Sequence, residues 1–301
     1  MKKLFTLWLG PILMISMLFL GSCAKKPELG SEENPVVWAF VPSGEAERVA
    51  AGSKKVAELL HRVTGFSLEA SVATDYAGVI AALSAEPPKA HMASMSTFSY
   101  ILAADREIAE AALVSVRFGR PTYNGQLIVR AGSGIQKIAQ LKGKRFARPD
   151  PLSTTGWVIP MLTMRAAGIN PEQDLAEIVD AGSHESVVEA VYNGDVDAGS
   201  TYADARDRIE KDHPDVKKKV VVIEVTPDIP NDGVQFVPSM PQEMREKIVK
   251  ALLLIAGTEE GKEALKMAYE WEGLEEHDDS FYDPFREVLR ASGLGINALK
   301  E

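Results

Sequence analysis

From residue 36 onward the chain switches repeatedly between two hydrophobic periods. "VVWAFVP" (36–42) is a continuous apolar run rich in β-branched residues that stops at Pro42-Ser43-Gly44, which predicts a buried strand running into a loop. The next stretch places Val49, Val56, Leu59, Leu60 and Val63 at helical spacing, and Gly65 supplies the stop. "FSLEASVA" alternates with period two, as a half-buried strand does. "TDYAGVIAALSAEPP" predicts a short helix broken by two prolines, "AHMASMS" a second buried strand, and "TFSYILAADREIA" the helix after it. "ALVSVRF" and "YNGQLIVR" read as two more strands.

The alternation resumes beyond residue 131, with a helix near "IQKIAQLKG", strand "KRFARP", helix "GWVIPMLTMRAAG", strand "LAEIVDAG", helix "HESVVEAVYNG" and strand "VDAGSTY". Strands alternating with helices define an α/β class with parallel sheets. After "VVVIEV" and "GVQFVP" the pattern is mainly helical, over 241–271 and 282–293. Two α/β units of similar size predict two lobes with a cleft between them, joined by crossing strands at "QLIVR" and "VQFVP". The expected partition is 36–127 with 236–301 for lobe 1, and 128–235 for lobe 2. Ligands of open α/β sheets lie at the carboxyl ends of strands, and a cleft between lobes is a favoured small-molecule site.

The N-terminus has a different character. Met1-Lys2-Lys3 is basic, residues 4–21 carry no charge, and "LGSC" follows. This is the layout of an export signal over residues 1–22. Leu20-Gly21-Ser22-Cys23 resembles the bacterial lipobox, which implies lipid attachment at Cys23 and a place in the cell envelope. Residues 23–35 are then expected to be a polar tether. Cys23 is the only cysteine, so no disulfide supports the fold. The formal net charge is −10, and loss of Lys2 and Lys3 with the signal makes the remainder more acidic still. That balance argues against a nucleic-acid partner, and any anion site must work through local donors and dipoles. No metal set is evident: "EEHDDS" (275–280) reads as a solvated acidic loop.

Candidate chemistry gathers where predicted strands end and helices begin. Ser153, Thr154 and Thr155 fall between "KRFARP" and "GWVIPML". Hydroxyls there either cap the helix or donate to an anion at its positive end. No G-x-x-x-x-G-K-[ST] is present at this point, so the stretch is not a P-loop. "TFSYILA" repeats the arrangement in the first half, and Ser183-His184 gives a third strand-to-helix junction.

"DPLSTTG", "GSHESVVEAVYNGDVDAG" and "IPND" resemble, in order and spacing, the phosphonate-binding proteins of bacterial ABC transporters; "DYAGVIAAL", "SYILA" and "LKGKRFA" agree. The resemblance implies a periplasmic-binding-protein fold of type II and a monomer that delivers phosphonate, phosphite or a related oxyanion to an importer permease, without a cofactor. It implies that Ser153, Thr154, Thr155 and His184 hold the oxyanion, with Tyr76 and Tyr123 in the cleft. Asp204 and Asp232 match positions that contact the organic end of aminoalkyl ligands, which points to a zwitterion such as 2-aminoethylphosphonate. Two other readings compete. One is a sensor lobe for a membrane kinase. The other is a hydrolase with Ser153 or Thr154 as nucleophile, His184 as base and Asp204 as orienter, although no G-x-S-x-G elbow is present.

Overall fold

The computed structural model describes residues 27–293. The signal segment and Cys23 lie outside the described residues. The buried run at the start becomes β1 (Val36–Phe40), which sinks Trp38 and Phe40 into the core. It is followed by α1 (Ala46–Thr64), β2 (Leu68–Val72), α2 (Tyr76–Ser84), β3 (Met92–Met95), α3 (Thr97–Ala104) and β4 (Glu110–Val116). The two-residue β5 (Thr122–Tyr123) leads into β6 (Gly125–Arg130) and β7 (Arg145–Arg148). A π-helical turn, Thr154–Val158, runs directly into α4 (Ile159–Ala166). Then come α5 (Pro171–Asp174), β8 (Glu177–Asp180), α6 (His184–Asn193), β9 (Ala198–Tyr202), α7 (Val216–Lys219) and β10 (Val220–Val225). The chain returns through β11 (Ile229–Pro230) to β12 (Gly233–Phe236), α8 (Gln242–Ala256), α9 (Glu259–Tyr269), β13 (Gly273–Glu276) and α10 (Asp283–Ala291).

These strands form two main sheets, ordered β13-β4-β12-β3-β1-β2 and β10-β6-β9-β7-β8. In the first, β1 pairs parallel with β2 and β3; in the second, β7 pairs parallel with β8 and β9. Neither sheet is wholly parallel, as the strand–helix alternation alone predicts. The first strand after each link, β6 or β12, arrives from the other sheet and runs antiparallel to its neighbours. The links are β5 and β11, which pair with each other. "QLIVR" and "VQFVP" lie just beyond these links, inside the sheets they enter.

The helical tail finds its place against α1. Gly52 allows this approach, since a Cβ there would lie 2.3 Å from the backbone nitrogen of Ala268 in α9.

Three local expectations are corrected. "IQKIAQLKG" makes only a 3₁₀ turn at Ile138–Leu141, with positive-φ Gly132 and Gly134 before it and Gly143 after it. Residues 28–35 are held against the body and are not free tether: Gly30 is buried at φ 89° in a turn that accepts from Gly30 N at Asn34 O, and Ser67 N donates to Gly30 O at 2.7 Å. Glu275 and Glu276 belong to the edge strand β13 and are not loop.

Candidate functional site

The carboxyl ends of the parallel strands of both sheets meet around one buried cavity. Val41 and Ser43 follow β1, and Ser96 follows β3. Ser153 and Thr155 follow β7, His184 opens α6 after β8, and Tyr202 ends β9. Arg117 stands just after β4, Tyr123 is in β5, and Asp232 lies between β11 and β12. The space between them is about 30 Å³, enough for a water or two and little more.

The hydroxyl triplet divides its labour. Ser153 is the N-cap of the π-helical turn: its Oγ accepts from Gly156 N at 3.1 Å, which leaves the O–H free to donate into the cavity. Capping and anion contact, alternatives in the sequence, are compatible in one residue. Thr155 lines the cavity as expected. Its approach to the sheet depends on Gly125, where a Cβ would sit 2.7 Å from Thr155 O. Thr154 is buried but does not line the cavity; its Oγ1 accepts from Phe98 N at 2.9 Å, tying the turn to α3. The N–H groups of Thr154 and Thr155 belong to the first turn of a helix and have no intrahelical acceptor. The starts of α3 and α6, capped by Ser96 and Ser183, bring further first-turn amides to the same region.

His184 is 3% exposed. Tyr202 N lies 3.3 Å from Nδ1 and can only donate, so Nδ1 is an acceptor and the ring proton sits on Nε2. Thr201 Oγ1 is also 2.8 Å from Nδ1 and fixes the ring plane. Nε2 faces Ser153 Oγ at 3.4 Å. Burial, reinforced by the charge of Arg117, pulls the His184 pKa down to about 3. The ring is therefore a neutral donor at physiological pH. Tyr76, Tyr123 and Tyr202 are held protonated by burial, with Asp150, Asp232 and Glu270 respectively adding to the effect. Tyr76 is in reach of Ser153, and Tyr123 of Thr155 and Thr97. The wall is thus rich in neutral O–H and N–H donors.

Charges around this wall come in pairs. The Asp232 carboxylate, in a residue 8% exposed, accepts from Ser115 Oγ at 3.1 Å, Arg117 Nη2 at 3.3 Å and Trp271 Nε1 at 3.2 Å. Arg48 of α1 pairs with Glu185 of α6 at 2.5 Å, and Arg208 with Glu270 at 2.6 Å. Both of these pairs join the two halves of the molecule. So do Tyr76 N to Asp150 Oδ2 at 3.3 Å, Ser96 Oγ to Leu152 O at 2.9 Å and His184 N to Ser43 O at 3.2 Å.

Six of the eight expected residues, Tyr76, Tyr123, Ser153, Thr155, His184 and Asp232, therefore line one cavity. Asp204 does not. It pairs with Arg206 at 2.9 Å, its side chain is 45% exposed, and it lines an adjoining chamber of about 170 Å³. The hydrolase arrangement fails with it, since the hydrogen-bond partners of His184 Nδ1 are Thr201 Oγ1 and Tyr202 N, and Asp204 is elsewhere. Arg117, Tyr202, Arg48, Arg208 and Glu270 were not singled out by the sequence. Arg117 and Tyr202 do carry a signal: each is a large polar residue ending an apolar strand. Among the described residues no cluster of three or more candidate metal ligands exists.

Two α/β lobes whose strand ends converge on a buried, donor-lined cavity define a class: binding proteins of the type II periplasmic fold. Within it, the chain belongs to the family of periplasmic substrate-binding proteins of phosphonate ABC transporters, whose model matches residues 38–282. That is a family of transport components, not of enzymes. Relatives include the phosphonates-binding periplasmic protein of Escherichia coli, 28% identical over 212 residues, covering 69% of this chain and 62% of that protein. The phosphate-import protein PhnD of Mycolicibacterium smegmatis is 26% identical over 209 residues, covering 65% of this chain and 64% of that protein. The match thus spans less than two thirds of either relative's length. The fold is shared with a binding protein component of the phosphonate transporter of Pseudomonas aeruginosa, with TM-score 0.78, 23% identity, and coverage of 86% of this chain and 87% of that one. It is also shared with PhnD1 of Prochlorococcus marinus in complex with methylphosphonate, with TM-score 0.74, 14% identity, and coverage of 85% and 97%.

Proposed function

We propose that this protein captures a phosphonate-type oxyanion between its two lobes and delivers it to the permease of an ABC importer. It does so in the periplasm or at the outer face of the cell membrane, held there by lipid on Cys23, with the lobes divided at the β5 and β11 links, a few residues before the boundaries at 127/128 and 235/236 expected from the sequence. The observation that carries the reading is the convergence of Ser153, Thr155, His184 Nε2–H, Tyr76 and Tyr123 on one buried cavity fed by both halves of the chain. A tetrahedral oxyanion accepts several hydrogen bonds from many directions, and neutral donors and helix amides supply them without a metal or a free cation. The small volume favours a compact ligand.

Phosphonates, phosphite and phosphate share the tetrahedral oxyanion, and 2-aminoethylphosphonate adds an ammonium. A thermal-shift and calorimetric panel of these compounds, with sulfate and amino acids as controls, tests the reading. A true ligand at about 100 times its dissociation constant adds about 2.7 kcal/mol of stability. Stoichiometric binding without product formation is expected. Indifference to every phosphorus oxyanion, or turnover of a phosphate ester, refutes the proposal.

A further inference from the structure

The charges lining the cavity are Arg48, Arg117, Arg208, Asp232 and Glu270. None of the carboxylates is free. Glu270 is taken by Arg208, and Glu185, behind the wall, by Arg48. Asp232 already holds three donors, one of them the buried guanidinium of Arg117. Aromatic faces are the other resource for a ligand cation. The two beside Asp232 at the end of β4 are occupied: the Arg117 guanidinium carbon lies 5.4 Å from the ring centre of Tyr123 and 5.3 Å from that of Tyr202. A ligand ammonium entering between Tyr123 and Tyr202 would meet a fixed positive charge, paired carboxylates and two rings that already face a cation. Burying it so would strip the ammonium of its hydration with nothing in the site to offset the loss.

We propose that Arg117 is a specificity-determining residue: by cancelling Asp232 and covering Tyr123 and Tyr202, it restricts the cavity to oxyanions whose substituent is uncharged, the hydrogen- and alkyl-phosphonate class. This rests on the oxyanion reading above and narrows it. Arg117 also has something to offer such a ligand, because its Nε is buried without a partner. The bond between Arg117 and Asp232 spans 115 residues of sequence, so the acid alone suggests a cation site and only the fold shows it filled.

The test compares ethylphosphonate with 2-aminoethylphosphonate, equal in chain length and different in the ammonium, by calorimetry on the exported protein. The wild type is expected to bind ethylphosphonate at least about tenfold more tightly. Arg117→Met frees Asp232 and should shift that ratio by about tenfold or more toward the amino compound. Asp232→Asn provides a second arm should Arg117→Met not fold. It removes an acid that no ligand cation uses, so the ratio of the two affinities should not change. Three results overturn the proposal: a wild-type preference for the amino compound, an unchanged ratio in folded Arg117→Met, or a selective loss of the amino compound in Asp232→Asn. Binding of neither compound, nor of phosphite or phosphate, is a different failure, that of the oxyanion reading itself.

Discussion

Acid should destabilise this protein through His184. In an unfolded chain a histidine titrates near pH 6.5. In the folded protein burial, aided by Arg117, holds His184 neutral down to about pH 3. The folded pKa is depressed, so the unfolded state takes up a proton first as pH falls. The stabilisation from keeping His184 neutral is complete above 6.5 and is lost progressively between 6.5 and about 3. Acidification from pH 7.5 to 5 should therefore cost about 2 kcal/mol from this one ring. His184→Asn isolates that share, because the asparagine oxygen can accept from Tyr202 N–H as Nδ1 does. Urea unfolding of the ligand-free wild type and variant at the two pH values gives four free energies. Carboxylates titrate in both proteins and cancel in the difference. The acid-induced loss should be smaller in the variant by about 2 kcal/mol. Equal losses, or an imidazole NMR titration centred near pH 6, would refute the buried neutral ring.

Other outcomes follow from the same geometry. Ser153→Ala removes a donor to a charged ligand, worth about 1.5–3 kcal/mol of affinity, and a helix cap worth about 1 kcal/mol of stability. Thr154→Ala should do the reverse in proportion: it leaves the buried Phe98 N–H unpaired, at about 1–3 kcal/mol of stability, with a smaller change in affinity; calorimetry and urea midpoints on both variants check the contrast, and equal affinity losses would count against it. Arg48→Met leaves Glu185 buried without its cross-cleft partner, so small-angle scattering of the ligand-saturated variant should give a larger radius of gyration than the wild type. Cys23→Ser should release the exported protein from the detergent phase; continued partitioning into detergent, with the signal removed, would rule out the lipid anchor.

Much of the fold was legible because hydrophobic period distinguishes strands from helices locally. The junctions at Ser153, His184 and Ser96 could be located because each combines a strand end, a capping residue and a helix start within a few positions. What escaped depends on contacts between distant residues. The IPND motif shows Asp232, but nothing near it names Arg117, Ser115 and Trp271 as the groups that saturate it. Asp204 was matched to the cleft only by the family resemblance; a left-handed backbone at φ 61° and the nearby Arg206 set it in the next chamber. The antiparallel strands were hidden too, since a strand's direction depends on where the chain arrives from, not on its own side chains.

Ser96 and Ser153 each use one hydroxyl for two purposes, and Thr154 supports the same turn. Ser96 caps α3 and reaches Leu152, Ser153 caps its turn and faces the cavity, and Thr154 fastens that turn to α3. Such residues cannot drift under selection one function at a time, because any replacement that alters what is bound also loosens a helix end or a seam between lobes. Heritable change of cargo must then begin at positions outside the caps. Arg117 is one: it follows a strand, caps nothing, and its exchange alters charge while leaving every helix start intact. A descendant of this sequence that acquires a new cargo should therefore keep its serines and threonines and differ first at the end of β4.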